Sequence, residues 1–83
     1  MVSGLNTDIK VGLINYHVQT EDWGLQKRCF VTQVFSGGRS IRQIKVSYEQ
    51  LFGAGYAPQT TELESALEVQ HNKVLEFIQT RKL

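Results

Sequence analysis

From Ile14 to Gln19 apolar and polar residues alternate, with Ile14, Tyr16 and Val18 set against Asn15, His17 and Gln19. A period of two marks a strand with one buried face, and the pattern predicts a strand over Ile14–Thr20. Just upstream, Ile9, Val11 and Leu13 carry apolar side chains on the opposite parity, so Gly12 marks a bulge or tight turn where the facing switches. That makes a further short strand before Ile14 an option, and Met1 to about Asp8 reads as a loose lead-in. Glu21-Asp22-Trp23-Gly24 ends the strand: the Asp22 side chain suits a bond to the backbone ahead of it, and Gly24 tolerates positive φ. The next apolar-rich run predicts a strand over Gln26–Phe35. Ser36-Gly37-Gly38-Arg39 follows as a hairpin signal, because a type I′ turn needs positive φ at both central positions. A third strand is expected over Ser40–Ser47.

Counting outward from the two glycines pairs Phe35 with Ser40, Val34 with Ile41, Gln33 with Arg42, Thr32 with Gln43, Val31 with Ile44, Phe30 with Lys45 and Cys29 with Val46. Paired residues share a face. One face then holds Cys29, Val31, Phe35, Ile44 and Val46, and this is the expected core side. The other holds Phe30, Thr32, Val34, Ile41, Gln43 and Lys45.

Tyr48 to Thr60 is a connection with Gly53, Gly55 and Pro58, and Tyr48-Glu49-Gln50-Leu51 suits one helical turn. The last segment predicts a helix over Glu62–Arg81. Thr61 and Glu64 have capping-box spacing, acidic residues lie in its first half, and Arg81 and Lys82 lie near its negative end. Leu63, Ala66, Leu67, Val74, Phe77 and Ile78 form one apolar stripe. About 20 residues give a rod of roughly 30 Å, long enough to cross a sheet. The expected fold is α+β: an antiparallel β-meander of three or four strands packed on one long C-terminal helix, all one domain over residues 1–83. The expected core is Tyr16, Val18, Val31, Ile44, Val46, Leu67, Val74 and Ile78.

Composition narrows function mainly by exclusion. The 83 residues carry a net charge of +1, so no strong field draws the chain to nucleic acid or anionic lipid. Lys27, Arg28, Arg39, Arg42 and Lys45 fall on the hairpin, but they point both ways, and charged edges also protect sheets from stray pairing; nucleic acid is therefore disfavoured as a partner. No apolar run approaches the roughly 18–20 residues of a membrane helix. Cys29, the single cysteine, forms no internal disulfide and fits a reducing compartment such as the cytoplasm. Its pairing beside Val46 reads as a small buried hydrophobe rather than a nucleophile. Gly53-Ala54-Gly55 lacks the third glycine and the βαβ context of a dinucleotide fingerprint. No cofactor is expected.

His17 is the first candidate for chemistry, since a histidine near a carboxylate can serve as base or ligand. No second His or Cys stands at ligand spacing, and the plainer reading is a cross-strand histidine bonded to Thr32 or Gln43. His71 has Leu67 and Leu75 at the helical ligand spacings and reads as a solvated or flank-packing residue. Trp23 either folds over the end of the core or anchors a partner.

The run Tyr16-His17-Val18-Gln19-Thr20-Glu21-Asp22, followed by Gly24, resembles a motif in small uncharacterised bacterial domains. The likeness continues through Val34-Phe35-Ser36-Gly37-Gly38, Ser47-Tyr48 and Glu68-Val69-Gln70-His71, spanning about Ile14 to Ile78. It implies no activity, but it draws attention to His17, Gln19 and Glu21. Three functions are therefore weighed. The first is a non-enzymatic interaction module, self-associating as a homodimer or docked on a host domain through Phe30, Val34 and Ile41. The second is a small-ligand or peptide binder using His17, Gln19, Glu21, Trp23, Thr32 and Gln43. A His17-dependent enzyme ranks last, because no nucleophile or oxyanion device accompanies the histidine.

Overall fold

The computed structural model describes residues 4–81, and within it the alternation that predicts a strand begins earlier than Ile14. Leu5, Thr7, Ile9 and Val11 are half-buried while Asn6, Asp8 and Lys10 are exposed. These residues form strand β1 (Leu5–Val11), which pairs antiparallel with β2 (Ile14–Asp22). The lead-in expectation therefore fails from Leu5 onward, and Met1–Ser3 lie outside the described residues. Thr7 hides the pattern: a polar residue takes an inward position because its hydroxyl has a buried partner, His71. The chain reverses at Gly12-Leu13, where Gly12 has φ 62°. Ile9 and Val11 then share a face with Tyr16 and Ile14, as the parity switch requires.

After β2 come a single turn of helix, α1 (Gly24–Lys27), then β3 (Cys29–Ser36), β4 (Arg39–Ser47), the short helix α2 (Tyr48–Phe52) and the long helix α3 (Thr60–Gln79). The sheet is an antiparallel meander in the order β1-β2-β3-β4, so the fold is α+β with four strands and a long C-terminal helix. Asp22 Oδ1 accepts from the Gly24 amide at 2.9 Å, so the strand ends as its residues predict, but Gln26 and Lys27 are helical rather than extended. Helix α3 starts two residues before the expected site. Gln59 is its N-cap and shares a capping box with Glu62, in place of Thr61 and Glu64. Arg81 lies past the helix end, and Lys82 is outside the described residues.

The β3–β4 hairpin contains the main correction. Gly37 and Gly38 have φ 60° and 76°, as a type I′ turn demands. Ser36 pairs with Arg39 and Phe35 with Ser40, but then the register slips by one, and Val34 faces Arg42 instead of Ile41. Ile41 is the extra residue of a β-bulge. Because side chains alternate, one added residue inverts every facing beyond it. Ile44 and Val46 do point toward the helix, but their partners are Thr32 and Phe30, not Val31 and Cys29.

Phe30 and Val34, expected on the open face as an interface, are therefore fully buried beneath α3. Cys29, Val31 and Phe35 take the opposite face. Cys29 and Val31 are buried there all the same. Val31 pairs with Lys45, whose ammonium lies 5.3 Å from the centroid of the Trp23 ring, so the half-buried indole lies over that end of the face.

The apolar interior has two parts. Phe30, Tyr48, Leu63 and Leu67 form one cluster, and Val18, Val34, Val74 and Ile78 form the other. Of the expected core, Val18, Leu67, Val74 and Ile78 lie here, while Tyr16, Ile44 and Val46 are half-buried. Among the described residues, no helix is long and apolar enough to cross a membrane.

Candidate functional site

The open face of the sheet is built from the residues that alternate away from α3. Register sets them in rows: Asp8, His17, Phe35 and Ser40 in one, and Asn6, Gln19, Gln33 and Gln43 in the next. A third row holds Glu21, Val31 and Lys45. His17 Nδ1 donates to Asp8 Oδ1 at 2.8 Å, and Nε2 lies 3.3 Å from Asn6 Oδ1. Asp8 is a carboxylate and only accepts, so Nδ1 carries a proton in this contact. Gln19 donates to Glu21. The His17 ring tilts against Phe35 with centroids 6.1 Å apart, beside a hollow of about 480 Å³ reaching the Gly37-Gly38 turn.

Of the six residues expected in a polar patch, His17, Gln19, Glu21 and Gln43 share this face. Thr32 does not, because the bulge places it under the helix, where it is fully buried. Trp23 covers the far end, two rows from His17 and thus about 13 Å along the strand. The expected His17 partners, Thr32 and Gln43, are replaced by Asp8 and Asn6 of β1. Among the described residues, no hydroxyl or thiol bonds to His17, and no three His, Cys, Asp or Glu side chains are grouped to hold a metal.

His71 departs furthest from its expected role. It is buried between Thr7 Oγ1, 2.8 Å from Nε2, and Thr20 Oγ1, 2.7 Å from Nδ1. Thr20 bonds in turn to Thr32 at 2.8 Å. Burial holds the His71 pKa below its ordinary value. At the α2 end, the buried Tyr48 hydroxyl donates to Asp22 Oδ1, while Asp22 Oδ2 has no partner. Burial, then the bond to that carboxylate, pushes the Tyr48 phenol well above its usual range. Both networks join elements far apart in sequence, so no local spacing announces them.

A second surface lies on the helix side. Helix α3 packs on β2, β1 and β3, whereas β4 meets α2. Ile44 and Val46 of β4 are therefore only half-covered, and Ile41 is 52% exposed. On α3, Val69 and Phe77 are 53% and 43% exposed. A hollow of about 630 Å³ lies at the C-terminal end of α3, lined by Ile14, Tyr16, Ile41, Arg42, Ile78 and Arg81 among others. Another of about 350 Å³ lies between α2 and α3, lined by Leu51, Phe52, Ala66, Val69 and Lys73 among others. Of the three residues expected at an interface, Ile41 alone is on this surface. The signal that could have revealed it is the apolar excess on α3: Val69 and Phe77 widen its stripe beyond what one sheet contact uses.

Comparison with known proteins finds no matching family model, no matching curated protein and no matching solved structure.

Proposed function

We propose that this chain is a non-catalytic protein-interaction module that receives a partner on the part of its helix-bearing sheet face that α3 leaves uncovered. The supporting observation is a mismatch of widths. Strands about 4.8 Å apart make a four-stranded sheet roughly 19 Å wide, and a helix with its side chains covers about 10 Å of it. Helix α3 lies over β1 to β3. Beside it Ile41 is exposed and Ile44 and Val46 are half-buried, and on α3 itself Val69 and Phe77 are exposed. Several large apolar side chains left open on one domain mark an interaction surface. The test is shift mapping on the full chain with an 18-residue helical peptide bearing a leucine stripe and neutral glutamine flanks. Shifts centred on Ile41, Ile44, Val69 and Phe77, lost in Phe77→Asp, support the reading. Absence of binding at millimolar peptide would refute it.

A second reading, a small-ligand site at His17, is favoured by one observation: the ring is held between Asp8 and Asn6 at the edge of the 480 Å³ hollow. Screening imidazole-directed ligands and divalent metals by the His17 ring resonances tests it. His17→Ala should then abolish binding and leave the melting temperature nearly unchanged. A ligand that binds His17→Ala as well as the parent chain removes this reading.

A further inference from the structure

The hollow of about 630 Å³ at the C-terminal end of α3 has a lining of two chemical kinds. Val11 and Ile14 of the β1–β2 hairpin, Ile41 of the β4 bulge and Ile78 of the helix make it apolar. Arg42 and Arg81 add two positive charges, and among the described residues no Asp or Glu lines it. Its volume falls within the roughly 300–1,000 Å³ of small-molecule sites. The backbone sets each arginine in place. Arg42 pairs with Val34, which is buried beneath α3, so it shares the helix-bearing face. Arg81 follows the helix with φ 60°, in the left-handed region that a side chain makes costly. Its Nη2 lies 3.5 Å from where a β-carbon on Gly12 would stand, so the guanidinium reaches across to the β1–β2 turn. The ordinary duty of a cation at a helix end is to serve the last carbonyls. Here other donors serve them: Thr80 Oγ1 donates to the Glu76 carbonyl at 2.8 Å and to the Phe77 carbonyl at 3.3 Å, and the Arg81 amide donates to the Ile78 carbonyl at 3.1 Å. Among the described residues the ion pairs are His17 with Asp8 and Arg28 with Glu49, so neither lining arginine has a carboxylate partner there.

We infer that this hollow binds a small amphiphile with an anionic head, a carboxylate or a phosphate carried on an apolar body. The body lies on Val11, Ile14, Ile41 and Ile78, and the head meets the guanidinium groups of Arg42 and Arg81. Arginine suits this task because its planar fork donates two parallel bonds to either head group. A cationic ligand is repelled by both side chains. A neutral apolar ligand gains the floor alone and forgoes the charge-assisted bonds. A nucleic-acid strand takes its affinity from many phosphate contacts along a path, whereas this is one pocket with two cations. Protection of the β4 edge from stray pairing accounts for an inward charge at Arg42, but not for Arg81 or for a lining without acids. The site goes beyond the interaction surface proposed above and does not depend on it. The two share Ile41, but that surface is also read at Val69 and Phe77, neither of which lines this hollow.

The experiment titrates the full chain with compounds of one shape and different heads: phenylbutyrate, phenylbutyl phosphate, phenylbutanamide and phenylbutylamine. Amide-shift mapping reads both affinity and place. Shifts should centre on Ile14, Ile41, Arg42 and Ile78. At least one of the two anions should bind at least about tenfold tighter than the amide at low salt, with the amine weakest and the gap narrowing near about 1 M salt as charges are screened. The tighter anion identifies the head group. Arg42→Gln combined with Arg81→Gln should erase the preference, and Arg42→Lys combined with Arg81→Lys should keep most of it, both with melting temperatures near that of the parent. The head-group series runs on the parent chain, so it decides the question even where a variant fails to fold. Equal binding of acid, amide and amine overturns the inference, as does an anion preference that survives the double glutamine change. So does the lack of shifts around the hollow at up to about 10 mM of either anion. A glutamine variant that aggregates yet binds both anions as the parent does assigns Arg42 to edge protection instead, and the inference falls.

Discussion

Replacing His71 separates packing from protonation. The ring is 3% exposed and joins Thr7 on β1 to Thr20 on β2. Removing it in His71→Ala deletes two hydrogen bonds worth about 1 kcal/mol each. It also leaves a ring-sized void, so the total loss should be roughly 2–4 kcal/mol. His71→Leu fills most of that volume. Thr20 keeps Thr32 as a partner, and half-buried Thr7 can turn to water, so about 1–2 kcal/mol should be lost. The pH dependence supplies the second arm. Burial lowers the folded-state pKa of His71 below the ordinary 6.5, so below that pH the unfolded chain binds more protons than the folded one. Stability is therefore complete above pH 6.5, declines as pH falls, and levels off once the folded ring also takes a proton. Urea midpoints at pH 7.5, 6.5 and 5.5, measured for the parent chain, His71→Leu and His17→Ala, isolate this component. It should vanish in His71→Leu and persist in His17→Ala. A cost below about 0.5 kcal/mol for His71→Ala, or an undiminished acid decline in His71→Leu, refutes the argument.

Tyr48→Phe withdraws the hydroxyl that serves a buried carboxylate already lacking a partner at Oδ2, and should cost about 1.5–3 kcal/mol by thermal or urea unfolding. Adding Asp22→Asn to Tyr48→Phe should cost less than the sum of the single changes, a coupling that a double-mutant cycle reads directly. Alanine at Gly37 or Gly38 must adopt φ near 60° or 76°, which should cost about 1–2 kcal/mol at each position, whereas Gly37→Asn should be close to neutral. Val34→Asp buries a carboxylate under α3 and should abolish cooperative unfolding, while Ile41→Asp should leave the midpoint nearly unchanged. Equal effects at these two positions would show that the strand facing is wrong.

The elements were legible where one periodicity ran unbroken. The β2 alternation, the paired glycines and the α3 stripe each report a local preference, and each lies within a few residues of where the pattern puts it. The facing of β3 was not legible, because a bulge leaves no composition signal. Ile41 is an ordinary β-branched residue, and only the way the helix selects Ile44 and Val46 reveals that one position has been skipped. The first half of strand β1 was read as lead-in because Thr7, which looks polar in sequence, faces inward toward a histidine 64 residues away. Much of the polar face around His17 was readable from parity alone. Its actual partners, Asp8 and Asn6, stand on the part of β1 that read as lead-in.

The split interior also bears on how the molecule opens. Thr7, Thr20, Thr32, Gln70 and His71 form a polar belt across the sheet and α3, with the Val74–Ile78 cluster on one side and the Phe30–Tyr48–Leu63–Leu67 cluster on the other. Along a body 43 Å in length, two small cores stand in series instead of merging into one. Each is held mainly by its own side chains, and the belt is the seam between them. Amide exchange should therefore resolve two protection levels, as separable cooperative units do. The unit at the C-terminal end of α3, beside the Arg42–Arg81 hollow, can loosen without unfolding the unit anchored by Tyr48.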